Sequence, residues 1–455
     1  MLGQVFERFV QRSPLSVMVR GTLERVLGAD QLDQFYDRTA TNQYTRELLF
    51  STVYDLMSDV VFRHQPSVRA AYQARASDMG TSLTSVYNKL NGLETHTSSE
   101  LVRYSATELT PLIEAMGGQR KPWLEGYRVK LIDGNCIEAT QRRLQALRDV
   151  QAAALPGKSL VVYEPMLGLV TDVIPCEDGH AQERSLFHEV LKTAAPGDLW
   201  IADRNFCTRE FLGELDHRGA LFVIREHQGF PFEIWHALGT EHRTSSARVA
   251  EQRVRFEDTT GSVHECRRLR LRLKEATRDG ETLLYILTNL PRQAAPTAQV
   301  AELYRQRWSL ETAFKHIEAY FHSEINTLGY PKAALFGFCL ALVAYNVLAV
   351  VLAALRGVHG QVKIDDEFSL YSMANEVATT YNGMMIAIPE AEWRIFSTMS
   401  QPEVAEMLME LAHHVRLEAF RKSPTRTRKS RSKPEKSPKK GHMSTAKVLK
   451  NQMAK

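Results

Sequence analysis

Cysteine is scarce and scattered in this chain of 455 residues. The five (Cys136, Cys176, Cys207, Cys266, Cys339) form no C-x-x-C pair and have no histidine at zinc-site spacing. That argues against a disulfide frame or a cysteine-based zinc module and fits reduced thiols in a cytoplasmic compartment. The N-terminus, M-L-G-Q-V-F-E-R-F-V, lacks a basic stretch leading into an apolar one, so no export signal is expected. No internal repeat is present. Long apolar runs are also missing, with one exception: Ala333 to Leu355 carries no charge and is long enough to span a bilayer. Its many alanines and the pair Tyr345-Asn346 suit a fully buried helix equally well. A lone run directly behind a charged amphipathic helix favours the core reading, with no membrane partner.

What is present is an ordinary globular composition, 44% hydrophobic and 24% charged, long enough for several packed domains. The net charge of +4 conceals a division. Residues 421–455 hold 13 Lys+Arg and one acid, leaving 44 basic against 52 acidic residues in the rest of the chain. This terminal segment has Ser and Pro in place of apolar periodicity, so it reads as a basic disordered tail: an arm for a polyanion, or a solubilising terminus.

Residues 1–120 carry apolar positions at helical spacing and read as a helical N-terminal region. Within it, G-T-S-L-T-S-V-Y-N-K-L-N-G has a Ser/Thr-rich start able to cap a short helix presenting Ser85, Asn88 and Lys89, which suits either a DNA-reading helix or an ordinary capped one. From Tyr127 the pattern changes to strands. Y-R-V-K-L-I-D, L-V-V-Y-E-P-M-L and L-V-T-D-V-I-P come first, followed by a helix from Glu183 to Thr193. Then come L-W-I-A-D, a helix from Thr208 to His217 and A-L-F-V-I-R-E-H. Three strands, helix, strand, helix, strand is the order of an RNase H-like core, in which the first and fourth strands are neighbours. The expected fold is therefore α/β. An RNase H-like core spans 121–228 and 297–358, interrupted by a β-rich insertion at 229–296 and followed by a helical region at 359–420. In the insertion, Arg268, Arg270, Arg272 and Lys274 alternate with leucines, giving a basic row that fits a solvated face or a DNA backbone.

Two aspartates stand where apolar strand-like runs end: Asp133 after V-K-L-I and Asp203 after L-W-I-A. A single helical run over Glu302–Glu318 aligns Tyr304, Arg307 and Glu311 at spacings of three and four. Three carboxylates far apart in sequence are what a two-metal phosphoryl-transfer site needs. Two divalent cations about 4 Å apart activate an attacking oxygen and stabilise a leaving 3′ oxygen, and Mg²⁺ (or Mn²⁺ as substitute) prefers such oxygens. Arg307 can grip a phosphate bidentately and Tyr304 can donate one hydrogen bond to it. Trp308, off this stripe, reads as core.

These residues resemble the DDE transposases of bacterial insertion sequences, specifically the insertion sequence 4 group, over residues 125–350. The third-carboxylate helix of that group carries Tyr, two residues, Arg, three residues, Glu, six residues, Lys. Tyr304, Arg307 and Glu311 match, A-D-R-N-F resembles the stretch around the second Asp, and the β-rich insertion between second Asp and Glu is also a feature of the group. The place of the Lys is taken by Glu318; Lys315, one turn after Glu311, could supply the cation or simply pair on the helix face.

The resemblance implies that Asp133, Asp203 and Glu311 are catalytic metal ligands and that the partner is double-stranded DNA, both element ends and target. It further implies a homodimer when DNA-bound, and cut-and-paste transposition through a hairpin intermediate. Two other readings of the same residues stand beside it: an RNase H-like nuclease without strand transfer, and a catalytically inactive, transposase-derived DNA-binding protein.

Overall fold

β-branched and large apolar residues alternate with small or polar ones from Arg128 onward, and the chain responds with strands. They are β1 (Arg128–Ile137), β2 (Ala154–Leu155), β3 (Gly157–Glu164), β4 (Leu169–Cys176), β5 (Asp198–Ala202), β6 (Leu221–Arg225), β7 (Glu233–His236), β8 (His242–Arg243), β9 (Ala247–Glu257), β10 (Val263–Leu273) and β11 (Leu283–Thr288), with β12 (Met443–Ser444) near the C-terminus. The structure is a computed structural model and describes residues 2–42, 47–77, 79–137, 144–150, 154–277, 280–423 and 442–454.

All but β2 and β12 join one mixed sheet in the order β4-β3-β1-β5-β6-β11-β10-β9-β7, with β8 added on β9. The β3–β4 hairpin turns at Gly168, whose φ of 77° lies where glycine is favoured. At the centre, β1 pairs parallel with β5 and β5 parallel with β6. Strand β5 is wholly buried because both its faces are covered. Leu199 and Ile201 face one apolar layer, while Trp200 and Ala202 face a second, built with Phe187, Phe206 and Phe211.

The β-rich insertion is not a separate sheet. β11 pairs antiparallel with β6, so residues 233–288 extend the central sheet rather than interrupt it. The turn expected at Thr260-Gly261 joins β9 to β10, with Gly261 at φ 88°, whereas Asp279 of the second expected turn lies outside the described residues.

The apolar run becomes helix Pro331–His359, long and apolar enough to cross a membrane by length and composition, yet 94% buried over its most apolar window. Its surroundings explain the composition. It packs against helix Thr95–Ala115, against β4 and against helices from both ends of the chain. The helices of the N-terminal region accordingly share one core with those of 359–420: Pro14–Leu27 lies on Glu390–Thr398, and Phe6 meets Trp393 edge to face at 4.9 Å. The short helix expected near residue 85 is Leu83–Gly92, capped by Ser82. Ser85 and Asn88 are exposed on it, while Lys89 lies 4.3 Å over the Tyr36 ring.

One expectation fails at the C-terminus. Residues 442–454 are not an unpacked tail: β12 pairs parallel with β2, and Ser444 caps a helix, Thr445–Met453, from which Lys447 reaches Asp178 at 3.2 Å. The basic stretch at 424–441 lies outside the described residues.

Asn346 is the polar anchor of the apolar helix. Fully buried, it accepts from the Val170 N–H and donates to the Val170 carbonyl, both at 2.8 Å, and donates to Ser105 at 3.2 Å. Asn346→Leu leaves both backbone groups of Val170 unpaired, so urea unfolding should show a loss of roughly 2–6 kcal/mol, at about 1–3 kcal/mol for each buried unsatisfied group.

Candidate active site

The parallel register of β1 and β5 ends at Leu131 opposite Ile201. Continued by two residues, it brings Asp133 level with Asp203. Asp133 is not at a strand end, as the sequence suggests. β1 runs on to Ile137 and keeps its antiparallel bonds to β3, with Asp133 opposite Val161. Asp203 does stand just beyond β5, where its Oδ1 accepts from the Asn205 N–H at 2.8 Å and caps a short turn.

The third carboxylate arrives on a broken helix. The single run expected over Glu302–Glu318 is two helices, Thr297–Arg305 and Trp308–Tyr320. At the junction, Arg307 N–H bonds back to Tyr304 and Ser309 N–H to Gln306, three residues each, which tightens the turn. Tyr304 therefore lies in the last turn of one helix, Arg307 occupies the junction, and Glu311 lies in the first turn of the next. Trp308, expected in the core, is 55% exposed.

Arg307 is buried and bridges two of the carboxylates. One terminal nitrogen donates to Asp133 Oδ2 at 3.1 Å and the other to Glu311 Oε1 at 3.0 Å, while its Nε has no partner. Tyr304 lies beside it, ring centroid 6.0 Å from the guanidinium carbon, and burial pushes its phenol up. Burial also pushes the Asp133 carboxyl up, to about 6. The neighbouring charges of Asp203 and Glu311 add to the rise, and Arg307 and the Gly134 N–H oppose it. A site that holds negative charge so unwillingly favours a cation.

A cleft of about 270 Å³ opens on Asp133 and Glu311 and is also lined by Lys315, Glu318 and Glu324. Lys315 and Glu318, the residue at the position of the expected Lys, thus face the same space. The donors that could hold a metal here are all oxygens, which suits a hard divalent ion. They are not drawn tightly together: among the described residues, the group whose ligand atoms lie within 4.8 Å of one another is His217, Asp258 and His264, with Arg307 instead occupying the space between Asp133 and Glu311.

A fourth carboxylate escaped the sequence reading. A Cβ on Gly134 would come within 2.3 Å of Glu183 Oε1, so Glu183 lies against the backbone next to Asp133. Its other oxygen accepts from Asn205 Nδ2 at 3.2 Å, two residues beyond Asp203. The one available signal was a glycine inside a strand, the usual mark of a close approach.

The basic row of β10 is largely engaged. Arg268 pairs with Glu226 at 2.9 Å and stacks 3.8 Å over Tyr285, Arg270 pairs with Glu241 at 2.9 Å, and Lys274 donates to the Ser245 carbonyl at 2.7 Å. Arg272 stands 3.6 Å from Glu241 with 58% of its side chain exposed. These residues hold the insertion together and do not form a free strip of cations.

Residues 125–347 match the family described as Transposase DDE domain. The match supports reading the chain as a DDE transposase, a class of enzyme that cuts and joins DNA. Among solved structures, a cryo-EM structure of a piggyBac transposase synaptic complex with hairpin DNA is similar at 11% identity, covering 90% of this chain and 78% of that one. The TM-score of that comparison is 0.35. No curated protein matches.

Two outcomes test the electrostatics. Arg307→Ala removes the influence that holds the Asp133 carboxyl down, so its ¹³C titration midpoint should climb above about 6; an unchanged midpoint would mean the guanidinium does not act on it. The folded-state value is raised from 3.8, so the cost of ionised Asp133 is absent below about pH 4 and complete above about pH 6. Asp133→Asn should therefore melt higher than wild type above pH 6 and lose that advantage as the pH falls to about 4.

Proposed function

We propose that the chain is a cut-and-paste transposase of the insertion sequence 4 group, built on an RNase H-like core, acting on the ends of a mobile DNA element. The observation that carries this reading is the convergence of Asp133 and Glu311 on Arg307, with Asp203 level with Asp133 on the next strand, inside the stretch similar to the DDE domain. Asp133, Asp203 and Glu311 would hold Mg²⁺, or Mn²⁺ in its place, which supplies activation of an attacking oxygen and stabilisation of the leaving 3′ oxygen.

The chain's own residues do the rest. Arg307, once released from the two carboxylates, presents a planar fork that grips the phosphate at the cleaved end, and the Tyr304 hydroxyl donates a hydrogen bond to the same group. Lys315 lies on the wall of the cleft, one turn beyond Glu311, and meets the incoming backbone as a point charge. Glu183 lies on the far side of Gly134 and orients the Asn205 loop that Asp203 caps.

In this scheme water attacks the phosphodiester at the element end and frees a 3′-OH. That hydroxyl attacks the opposite strand to form a hairpin, water reopens it, and the regenerated 3′-OH attacks target DNA. Two copies bridged by the element ends perform the sequence, with exposed positions of helix Leu83–Gly92 reading the terminal repeats.

Glu318 in place of the group's Lys favours a second reading, a transposase-derived protein that binds DNA without catalysis; a nuclease that cleaves without joining is the other alternative. A pre-cleaved end bearing a free 3′-OH separates them, since joined products require the transposase. Asp203→Ala and Glu311→Gln should reduce Mg²⁺-dependent nicking to background while end binding changes by no more than about twofold. Retained nicking in Glu311→Gln would remove it from the ligand set. Glu318→Lys should increase joining.

A further inference from the structure

Helix Arg209–His217 begins beside the end of β5, where Asp203 stands, and runs back along the sheet to the start of β6. At nine residues it carries the chain about 13 Å, so His217 lies at the opposite end of the central strands from the carboxylates. There His217 Nε2 and His264 Nε2 each stand 2.9 Å from the same oxygen, Oδ2 of Asp258. His264 comes from β10 and Asp258 from the turn that joins β9 to β10.

The surroundings of this trio are organised. Asp258 uses its other oxygen, Oδ1, to accept from the Thr260 N–H at 2.8 Å, the Thr260 hydroxyl at 2.7 Å and the Ser262 N–H at 3.0 Å, which leaves Oδ2 turned toward both rings. His264 is 5% exposed, and its Nδ1 meets Asp216 Oδ2 at 2.7 Å. Asp216 is itself fixed by Asn289, whose Nδ2 donates to its Oδ1 at 2.8 Å. A carboxylate on Nδ1 sets the tautomer that leaves the Nε2 lone pair free, which is how a metal-binding histidine is oriented from behind. Gly213 completes the cradle: a Cβ there would come within 2.7 Å of the Asp258 Cβ and 3.2 Å of His264 Nε2. The C-terminal end of the helix adds partial negative charge.

We propose that His217, His264 and Asp258 form a binding site for one divalent transition-metal ion of the zinc type, separate from the carboxylate cleft. Two imidazole nitrogens and one carboxylate oxygen suit a borderline cation over Mg²⁺, and the half-exposed His217 leaves the fourth position to water. The ion ties the β9–β10 turn of the insertion to a helix of the central sheet, so its role is to fix the insertion in place. Without an ion, the same contacts require both ring nitrogens of His264 to carry protons.

The full-length chain, stripped with chelator and then loaded with Zn²⁺ alone, tests this. One equivalent should survive gel filtration and raise the melting temperature, and Co²⁺ in its place should give the visible bands of a four-coordinate site. His217→Ala, at a half-exposed position, should lose that equivalent and those bands while keeping its circular dichroism. Asp216→Asn should weaken binding about 10- to 100-fold, and Glu311→Gln should leave the equivalent in place. Absence of a retained equivalent in the wild type, or its persistence in both His217→Ala and Asp216→Asn, would overturn the proposal. Loss in Glu311→Gln would do the same, by placing the ion in the carboxylate cleft.

Discussion

Arg307 places one delocalised positive charge between Asp133 and Glu311, and the arrangement of the cleft depends on it. Parallel pairing of β1 with β5 sets two aspartates level on adjacent strands, and the helix after residue 307 adds a third acid. Like charges so placed repel, and burial makes Asp133 harder to ionise. A guanidinium suits this position better than an ammonium would, since it keeps its charge when desolvated and its fork reaches two carboxylates at once. The break between the two helices follows from the same requirement: it is what sets Arg307 inward at the junction. Its Nε has no hydrogen-bond partner.

The extended sheet distributes electrostatics differently. On β10 most of the cations meet an acid: Arg267 holds Glu251 at 2.7 Å and two carbonyls, Arg268 holds Glu226, and Arg270 and Arg272 share Glu241. Arg225 of β6 reaches across to Glu281 just before β11. Of these pairs, Arg268–Glu226 and Arg225–Glu281 reinforce the seam of β6 and β11, which is three residue pairs long.

Strand order was largely legible because apolar alternation and turn residues are local signals. The adjacency of Asp133 and Asp203 followed from topology alone. The helix break at Gln306-Arg307 was not legible, since neither residue is a breaker and the periodicity runs through it unbroken. The basic row was visible as a pattern, but its partners Glu226 and Glu241 are supplied by distant loops. Glu183 was hidden for the same reason, since its proximity to Asp133 exists only once the chain folds. The apparent tail misled through composition: its last residues form a capped helix that owes its place to β2, nearly 300 residues earlier.

The apolar helix has a consequence for the order of events during synthesis. Pro331–His359 has a mean hydropathy of 2.5 over its most apolar window, and an unfolded segment of that kind is adhesive toward other chains and toward lipid. The surfaces that first cover it, helix Thr95–Ala115 and β4 with its waiting Val170, precede it in the chain and leave the ribosome first. This apolar helix is thus made after the surfaces of helix Thr95–Ala115 and β4 that pack on it, and before helix Gln401–His413, which packs on it as well.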